Sequence, residues 1–246
     1  MTEMMTEILA AQGVSRRFRT TLAVDRVDFC LGAGARHAVI GPNGAGKSTL
    51  LNLLTGNLRP NTGHIRLDGR DVTRRTPAGR ARLGLARTFQ TPAVFDSLST
   101  LDNMLAAAWH GNRSRAGQAR QGLEAIGLGA HTGHLAGALS HGQRRLLEIA
   151  MALAGKPRAL LLDEPAAGLG DTDLERLVGC LHGLPDGIAV LLVEHNQDVV
   201  TAIAHRVTVL HQGRILATGT PEEIKNNPQV ADIYLGKETT TPHATT

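Results

Sequence analysis

Short β-branched and leucine-rich runs alternate with longer segments of helical spacing through most of the chain. That alternation predicts a layered α/β core, a mixed sheet with some parallel pairing, fronted by an N-terminal antiparallel β part. The runs expected as strands are Ile8–Val14, Val27–Leu31, His37–Ile40, His64–Leu67, Ala86–Phe89, Ala159–Asp163, Ile188–Glu194, Arg206–Leu210 and Arg214–Thr218. In HIRLDGRDV, Asp68-Gly69 stands between a strand and a short extended piece, and a tight turn is expected because glycine accepts positive φ. Between Ser97 and Leu139 the strand pattern stops. Leu101–Trp109 and Ala116–Ile126 read there as helices separated by the polar stretch Gly111–Ser114, a helical lobe inserted into the core. Near the end, GTPEEI has the marks of a helix start, with Thr220 as N-cap, Pro221 at the first helical position and Glu223 placed for a capping box. The expected layout is one domain over residues 1–236, with a core lobe of about 1–96 and 155–236, a helical lobe of about 97–154, and a disordered polar tail, 237–246.

The first candidate chemistry lies in HAVIGPNGAGKSTLLNLLTG, which is strand, glycine loop and helix in the order that G-x-x-x-x-G-K-[ST] requires, with Gly41, Gly46, Lys47 and Ser48 at the fixed positions. This is the phosphate loop of a nucleoside-triphosphatase core. Across Gly41, Pro42, Asn43, Gly44, Ala45, Gly46, Lys47, Ser48 and Thr49 the backbone can turn its N–H groups toward a β-phosphate; Lys47 adds a compact cation and Ser48 a ligand for Mg²⁺. Gly32–His37, GAGARH, lacks the third glycine of a dinucleotide fingerprint and precedes its strand, so it reads as a hairpin turn. RALLLDEP closes a strand with two acids. Asp163 is placed to hold the metal, and Glu164 to orient or deprotonate an attacking water. A protein that only bound nucleotide would not need the second carboxylate. LSHGQRR, Leu139–Arg145, is another polar helix start of the kind that binds anions, and one nucleotide does not need two cradles.

Composition narrows the field. A chain of 246 residues buries roughly 70–75% of its extended surface, enough for a sizeable core. The net charge of +4 comes from 26 basic and 22 acidic residues that are interspersed, which describes a solvated surface. Six aromatic residues (four Phe, one Trp, one Tyr) are too few for the stacking platforms of single-strand binders, so no nucleic-acid partner is expected. Cys30 and Cys180 lie far apart with no C-x-x-C pairing, and both are expected reduced in the core. His131, His134 and His141 have metal-like spacing but sit in a Gly-rich connection without supporting ligands, and no zinc site is expected. MTEMMTEILA carries acids where a secretory signal carries bases, and runs such as Ile188–Val193 fall far short of the about 18–20 apolar residues of a membrane span. The expectation is a cytoplasmic chain that borrows any membrane role from another subunit.

In their order, these motifs resemble those of the nucleotide-binding subunits of ATP-binding cassette (ABC) transporters, up to Gly236. Leu139-Ser140-His141-Gly142-Gln143 matches the family's Leu-Ser-Gly-Gly-Gln signature. The resemblance implies that Ser140, Gly142 and Gln143 hold the γ-phosphate of an ATP seated in a partner's glycine loop, two identical or sister chains clasping two nucleotides head to tail. It also implies that Gln90, in ARTFQTP, reaches Mg²⁺ and water beside the membrane-subunit contact, that His195, in LLVEHN, touches the γ-phosphate, and that Phe18 stacks on adenine. Catalysis would then fall to Glu164, His195 and Gln90, and metal binding to Ser48, Gln90 and Asp163. Three positions depart from the pattern: His141 replaces the first signature glycine, Gly170 stands where aspartate is common, with Asp171 either compensating or capping the next helix, and Asn196 follows His195 in place of aspartate. Within the family, GLARTFQTPAVFDSLSTLDNM, LLLDEPAAGL and GTPEEIKNNPQVADIYLG look most like the ATPase subunits of importers of branched-chain amino acids and their amide or urea relatives. Such a subunit would work on the inner face of the cell membrane with permease subunits and, indirectly, a periplasmic binding protein. The rival readings are a soluble cassette ATPase of DNA repair or translation, which typically interposes long coiled coils or carries two cassettes, and a lipopolysaccharide-type exporter ATPase.

Overall fold

Residues 6–107 and 115–234 are described by a computed structural model, in which the strands sort into two sheets. The four-stranded sheet is antiparallel, in the order β2 (Thr21–Gly32), β1 (Glu7–Phe18), β4 (Thr62–Leu67), β5 (Arg70–Asp71). The six-stranded sheet runs β10 (Arg214–Gly219), β9 (Arg206–His211), β3 (Arg36–Ile40), β8 (Ala189–Val193), β7 (Ala159–Asp163), β6 (Leu85–Arg87). Its strands are parallel from β9 to β6, and only β10 is reversed.

Strands β3, β7 and β8 are buried along their whole length, as continuous apolar runs are when both faces of a parallel sheet are covered. Alternate residues feed opposite cores. Ala38, Ile40, Leu160, Leu162, Val190 and Leu192 face one side, and Val39, Leu161, Leu191 and Val193 the other. On the first side pack α3 (Thr100–Ala107), α4 (Arg115–Ala125), α5 (His141–Ala154), α6 (Asp171–His182) and α7 (Gln197–Ile203), through residues such as Met104, Leu123, Leu146, Leu177 and Val199. On the other lie α1 (Lys47–Thr55), through Leu50, Leu51, Leu53 and Leu54, and the antiparallel sheet, through Leu9, Val27, Phe29 and Ile65.

The expected turn at Asp68-Gly69 is present, with φ of 52° and 72° closing the β4–β5 hairpin at the Leu67–Arg70 pair. Thr220 and Glu223 form the expected capping box of α8 (Pro221–Lys225), which leads to α9 (Pro228–Tyr234). Other expectations need correction. GAGARH turns, but it carries the chain from β2 in one sheet to β3 in the other, because β3 is flanked on both edges by β8 and β9 and has no room for β2. Strand β1 runs on through Ser15, Arg16 and Arg17 to Phe18, and β2 starts at Thr21, ahead of the partly buried Leu22 and Ala23 and the buried Val24, so both strands are longer than expected. Cys30 is exposed rather than in the core, on the outer face of β2, where its thiol lies 3.6 Å from Glu7 Oε2. The last two residues of the Leu101–Trp109 helix, the stretch Gly111–Ser114 and the tail 237–246 lie outside the described residues.

The short helix α2 (Pro77–Ala81), capped by Thr76, was not expected, although Thr76-Pro77 carries the same start signal as Thr220-Pro221. It delivers Arg80, fully buried, whose guanidinium donates to the carbonyls of Leu53 and Leu54 at 2.7 and 2.6 Å and so closes the C-terminus of α1. Burial lowers the Arg80 pKa to about 10.

A second buried polar group crosses the sheet. His37 on β3 bonds the Thr208 hydroxyl at 2.8 Å, and Thr208 meets Thr218 at 3.0 Å. Burial, with Arg206 nearby, lowers the His37 pKa to about 4 from 6.5. The folded chain therefore keeps this ring neutral where the unfolded chain protonates it, and unfolding takes up a proton between those values. The contribution is complete above about pH 6.5 and is lost as pH falls through about 4, on the order of 3 kcal/mol in all. We expect His37→Gln to flatten the fall in urea-unfolding free energy over that window relative to the parent chain; parallel pH profiles would show that the ring carries none of it.

Candidate functional site

The candidate residues gather where the parallel strands end. Gly41 follows β3, Gln90 lies three residues beyond β6, Asp163 and Glu164 close β7, and Glu194 and His195 follow β8. Because β3, β8, β7 and β6 are parallel neighbours, all these ends open on one edge of the sheet, the edge at which open α/β sheets bind their ligands.

Gly41 and Gly46 have φ of 150° and 104°, and a Cβ on either would collide with backbone, the carbonyl of Leu210 at Gly41 and that of Ala23 at Gly46. The loop is thus pressed between two carbonyls and hands its chain to α1 with Gly46 as N-cap. No side chain caps that start, so the first-turn amides of α1 lie open at the positive end of the helix. Lys47, nearly buried, folds back over the loop, its Nζ donating to Gly41 O at 2.6 Å and Pro42 O at 3.1 Å. Burial lowers its pKa, and the carboxylates of Glu164 and Asp163 pull the other way.

Asp163 is buried and paired with Arg87 at 3.1 Å. Burial raises its pKa, and Arg87 opposes the rise. Arg87 also donates to Asn52 and Thr55 of α1, at 2.6 and 3.3 Å, and lies 4.9 Å from the ring of Phe89, so it ties the strand-end acid to the helix behind the glycine loop. Glu164 takes a left-handed backbone, φ 46°, at a cost of about 1–3 kcal/mol. Its N–H is held by Val193 O at 2.8 Å, and its carboxylate lies 3.4 Å from Gln90 Nε2. The structure brings Gln90 and Glu164 together.

Glu194 is wholly buried and accepts three backbone N–H groups, from Ala166, His195 and Asn196, at 3.0, 2.8 and 3.1 Å. It stitches the loop after β7 to the loop after β8 and leaves the His195 ring exposed beside it. Asn196 caps α7 through Asp198 N and Val199 N, so its departure from aspartate keeps the helix start. Asp171 does not cap α6; Gly170 holds the N-cap, and Asp171 and Asp173 add negative charge to the first turn. Phe18 ends β1 exposed, with the Arg16 guanidinium 4.8 Å from its ring centroid.

The start of α5 differs from that of α1. Ser140 Oγ accepts from Gln143 N at 3.1 Å and Gln143 Oε1 from Ser140 N at 2.9 Å, a capping box that closes this helix on itself. Gly142 abuts Asp173, where any Cβ would collide with the carboxylate, and Gly168 lies beside the His141 ring. Among the described residues, no hydrogen bond joins Ser140 or Gln143 to Gly41–Thr49. His131 and His134 lie with ring centroids 5.2 Å apart, and no cluster of metal-ligating side chains occurs among the described residues. Sequence reasoning missed Arg87 and Glu194; the available signal was a charged residue interrupting or ending an otherwise apolar strand.

The "ABC transporter" family model matches residues 24–167, and the model described as "Branched-chain amino acid ATP-binding cassette transporter" matches residues 214–239. The chain is 37% identical to the high-affinity branched-chain amino acid transport ATP-binding protein BraF of Pseudomonas aeruginosa, over 94% of this chain and 98% of that protein. It is 38% identical to the lipopolysaccharide export system ATP-binding protein LptB of Acidithiobacillus ferridurans, over 95% and 99%. Its fold matches the crystal structure of the ADP conformation of MJ1267, an ATP-binding cassette of an ABC transporter, with a TM-score of 0.85, 30% identity and coverage of 94% and 99%. No helix among the described residues is long and apolar enough to cross a membrane. With the glycine loop, Asp163, Glu164 and His195 on one sheet edge and relatives matching nearly end to end, the chain belongs to the ABC transporter family as an ATP-hydrolysing subunit.

Proposed function

We propose that the chain binds ATP with magnesium across the glycine loop and the open start of α1, and hydrolyses it in a pocket completed by a second cassette subunit. The observation that carries this reading is the uncapped α1 start, set on the same edge as Lys47, Asp163, Glu164 and Gln90. The amides of Gly41–Thr49 and the Lys47 ammonium would hold the phosphates, and Phe18 the adenine. Ser48, Asp163 and Gln90 suit magnesium, an all-oxygen set; when bound, the ion would neutralise phosphate charge. Glu164 takes the proton of an attacking water whose position Gln90 helps to set, and His195 contacts the γ-phosphate. Ser140, Gly142 and Gln143, which do not meet the loop of their own chain, serve the nucleotide of the partner. Closure of the pair on ATP and reopening after hydrolysis would drive permease subunits at the inner face of the membrane.

For the cargo we favour branched-chain amino acids or related amides, supported by the match at residues 214–239 and by relatives such as BraF. The identity to LptB supports lipopolysaccharide export as the second reading.

Glu164→Gln is expected to keep its ATP affinity and to accumulate as an ATP-bound dimer while turnover falls about 10²–10⁴-fold; near-normal turnover would remove the role given to Glu164. The specific ATPase activity of the free chain is expected to rise with protein concentration, and a flat profile across dilution of a monomer would refute the shared pocket. Reconstituted with the permease subunits of a branched-chain amino acid importer, the ATPase is expected to be stimulated by a binding protein loaded with leucine; stimulation by lipopolysaccharide with an exporter permease instead would favour export.

A further inference from the structure

Two charged side chains of α5 are buried and are given no role in the scheme above. Arg145 is 0% exposed and Glu148 4%, and they pair at 2.8 Å one turn apart. Both reach off the helix to one short stretch of backbone. Glu148 Oε1 accepts from Phe89 N at 3.0 Å and Ala93 N at 3.2 Å; Arg145 donates through Nη1 to the Phe89 carbonyl and through Nη2 to the Gln90 carbonyl at 2.5 Å. Burial raises the Glu148 pKa, opposed by the two amides and by Arg145.

Between Arg87 and Thr100 the chain forms neither helix nor strand, so nothing regular fixes Gln90. This grip also explains why β6 stops at Arg87 rather than running to Phe89: the backbone beyond it is taken by α5. A buried ion pair is no more stabilising, as a rule, than apolar residues of similar volume. What it provides here is direction, with donors and acceptors matched to both sides of one residue. The same helix begins at Ser140.

We propose that Arg145 and Glu148 are a positioning pair that sets the pose of the Gln90 loop, so that the Gln90 carboxamide and the helix starting at Ser140 move as one piece. This rests on the role proposed for Gln90. A change at the Ser140 end, where the partner's nucleotide would bind, then reaches Glu164 through a rigid α5 and four hydrogen bonds to the loop.

The test is R145M/E148L in the full-length chain, which removes the grip without leaving an unpaired buried charge. Its melting temperature and ATP affinity are expected to stay near those of the parent, amide exchange at Phe89 and Ala93 to speed up, and kcat to fall by about 10²-fold, the scale of a misplaced catalytic group. Gln90→Ala is expected to lower kcat in the parent and to add nothing in this background. Parental kcat in R145M/E148L, or losses that multiply when Gln90→Ala is added, would overturn the proposal. Faster exchange at the two amides with no effect of Gln90→Ala in the parent would instead show that the loop is held as described but that Gln90 lacks its assigned role. If R145M/E148L fails to fold, E148Q, which keeps an oxygen for the two amides but sets an NH2 donor against the Arg145 guanidinium in place of the second carboxylate oxygen, is expected to show the same signature at smaller size; parental kcat and exchange in E148Q would overturn the proposal equally.

Discussion

An open helix start is the constraint on which the rest of this structure depends. Amides left unpaired and dry cost about 1–3 kcal/mol each, and most helices close their first turn with a side chain. Helix α1 does not: its N-cap is Gly46, its loop is wedged between the carbonyls of Ala23 and Leu210, and Lys47 satisfies itself on Gly41 and Pro42. The opposite end is closed firmly by Arg80 on the carbonyls of Leu53 and Leu54. A helix sealed at the back and open at the front, on the edge where five parallel strands end, is built to receive an anion.

Around that opening, buried charges act as ties between segments that are distant in sequence. Arg87 joins Asp163 to α1, Glu194 joins the loops after β7 and β8, and the Arg145–Glu148 pair joins α5 to the Gln90 loop. Each fixes a strand end or the loop that follows it against another part of the chain. Their placement accounts for the left-handed Glu164 backbone, which survives because Val193 holds its N–H and the loops on either side are tied down.

Much of this was legible in the residues, and the failures have physical causes. The buried parallel strands were read nearly to the residue, as in Ala159–Asp163, because apolar runs bounded by glycine or acid leave few alternatives. The glycine loop, its acids and Thr220 were visible because backbone geometry demands specific residue types. What was misjudged lacked a local signal strong enough to decide it. The polar run Ser15–Arg17 hid the end of β1, Cys30 looked apolar but faces outward, and GAGARH turned between sheets rather than within one. Arg87, Glu194, Arg145 and Glu148 are charged residues whose partners lie up to 76 positions away, so only the folded chain discloses them.

The self-closed start of α5 contrasts with the open start of α1, and no bond between the two occurs within the described residues. The account turns on that separation: each chain would carry two half-pockets that serve different nucleotides. Mixing two variants tests it most directly, K47A with its phosphate loop disabled and S140R with its signature blocked. Each alone is expected to be inactive, and the mixture to recover ATPase activity, because a mixed pair holds one pocket with both halves intact. A mixture as inactive as its components, from chains shown to associate, would contradict a pocket shared between two chains.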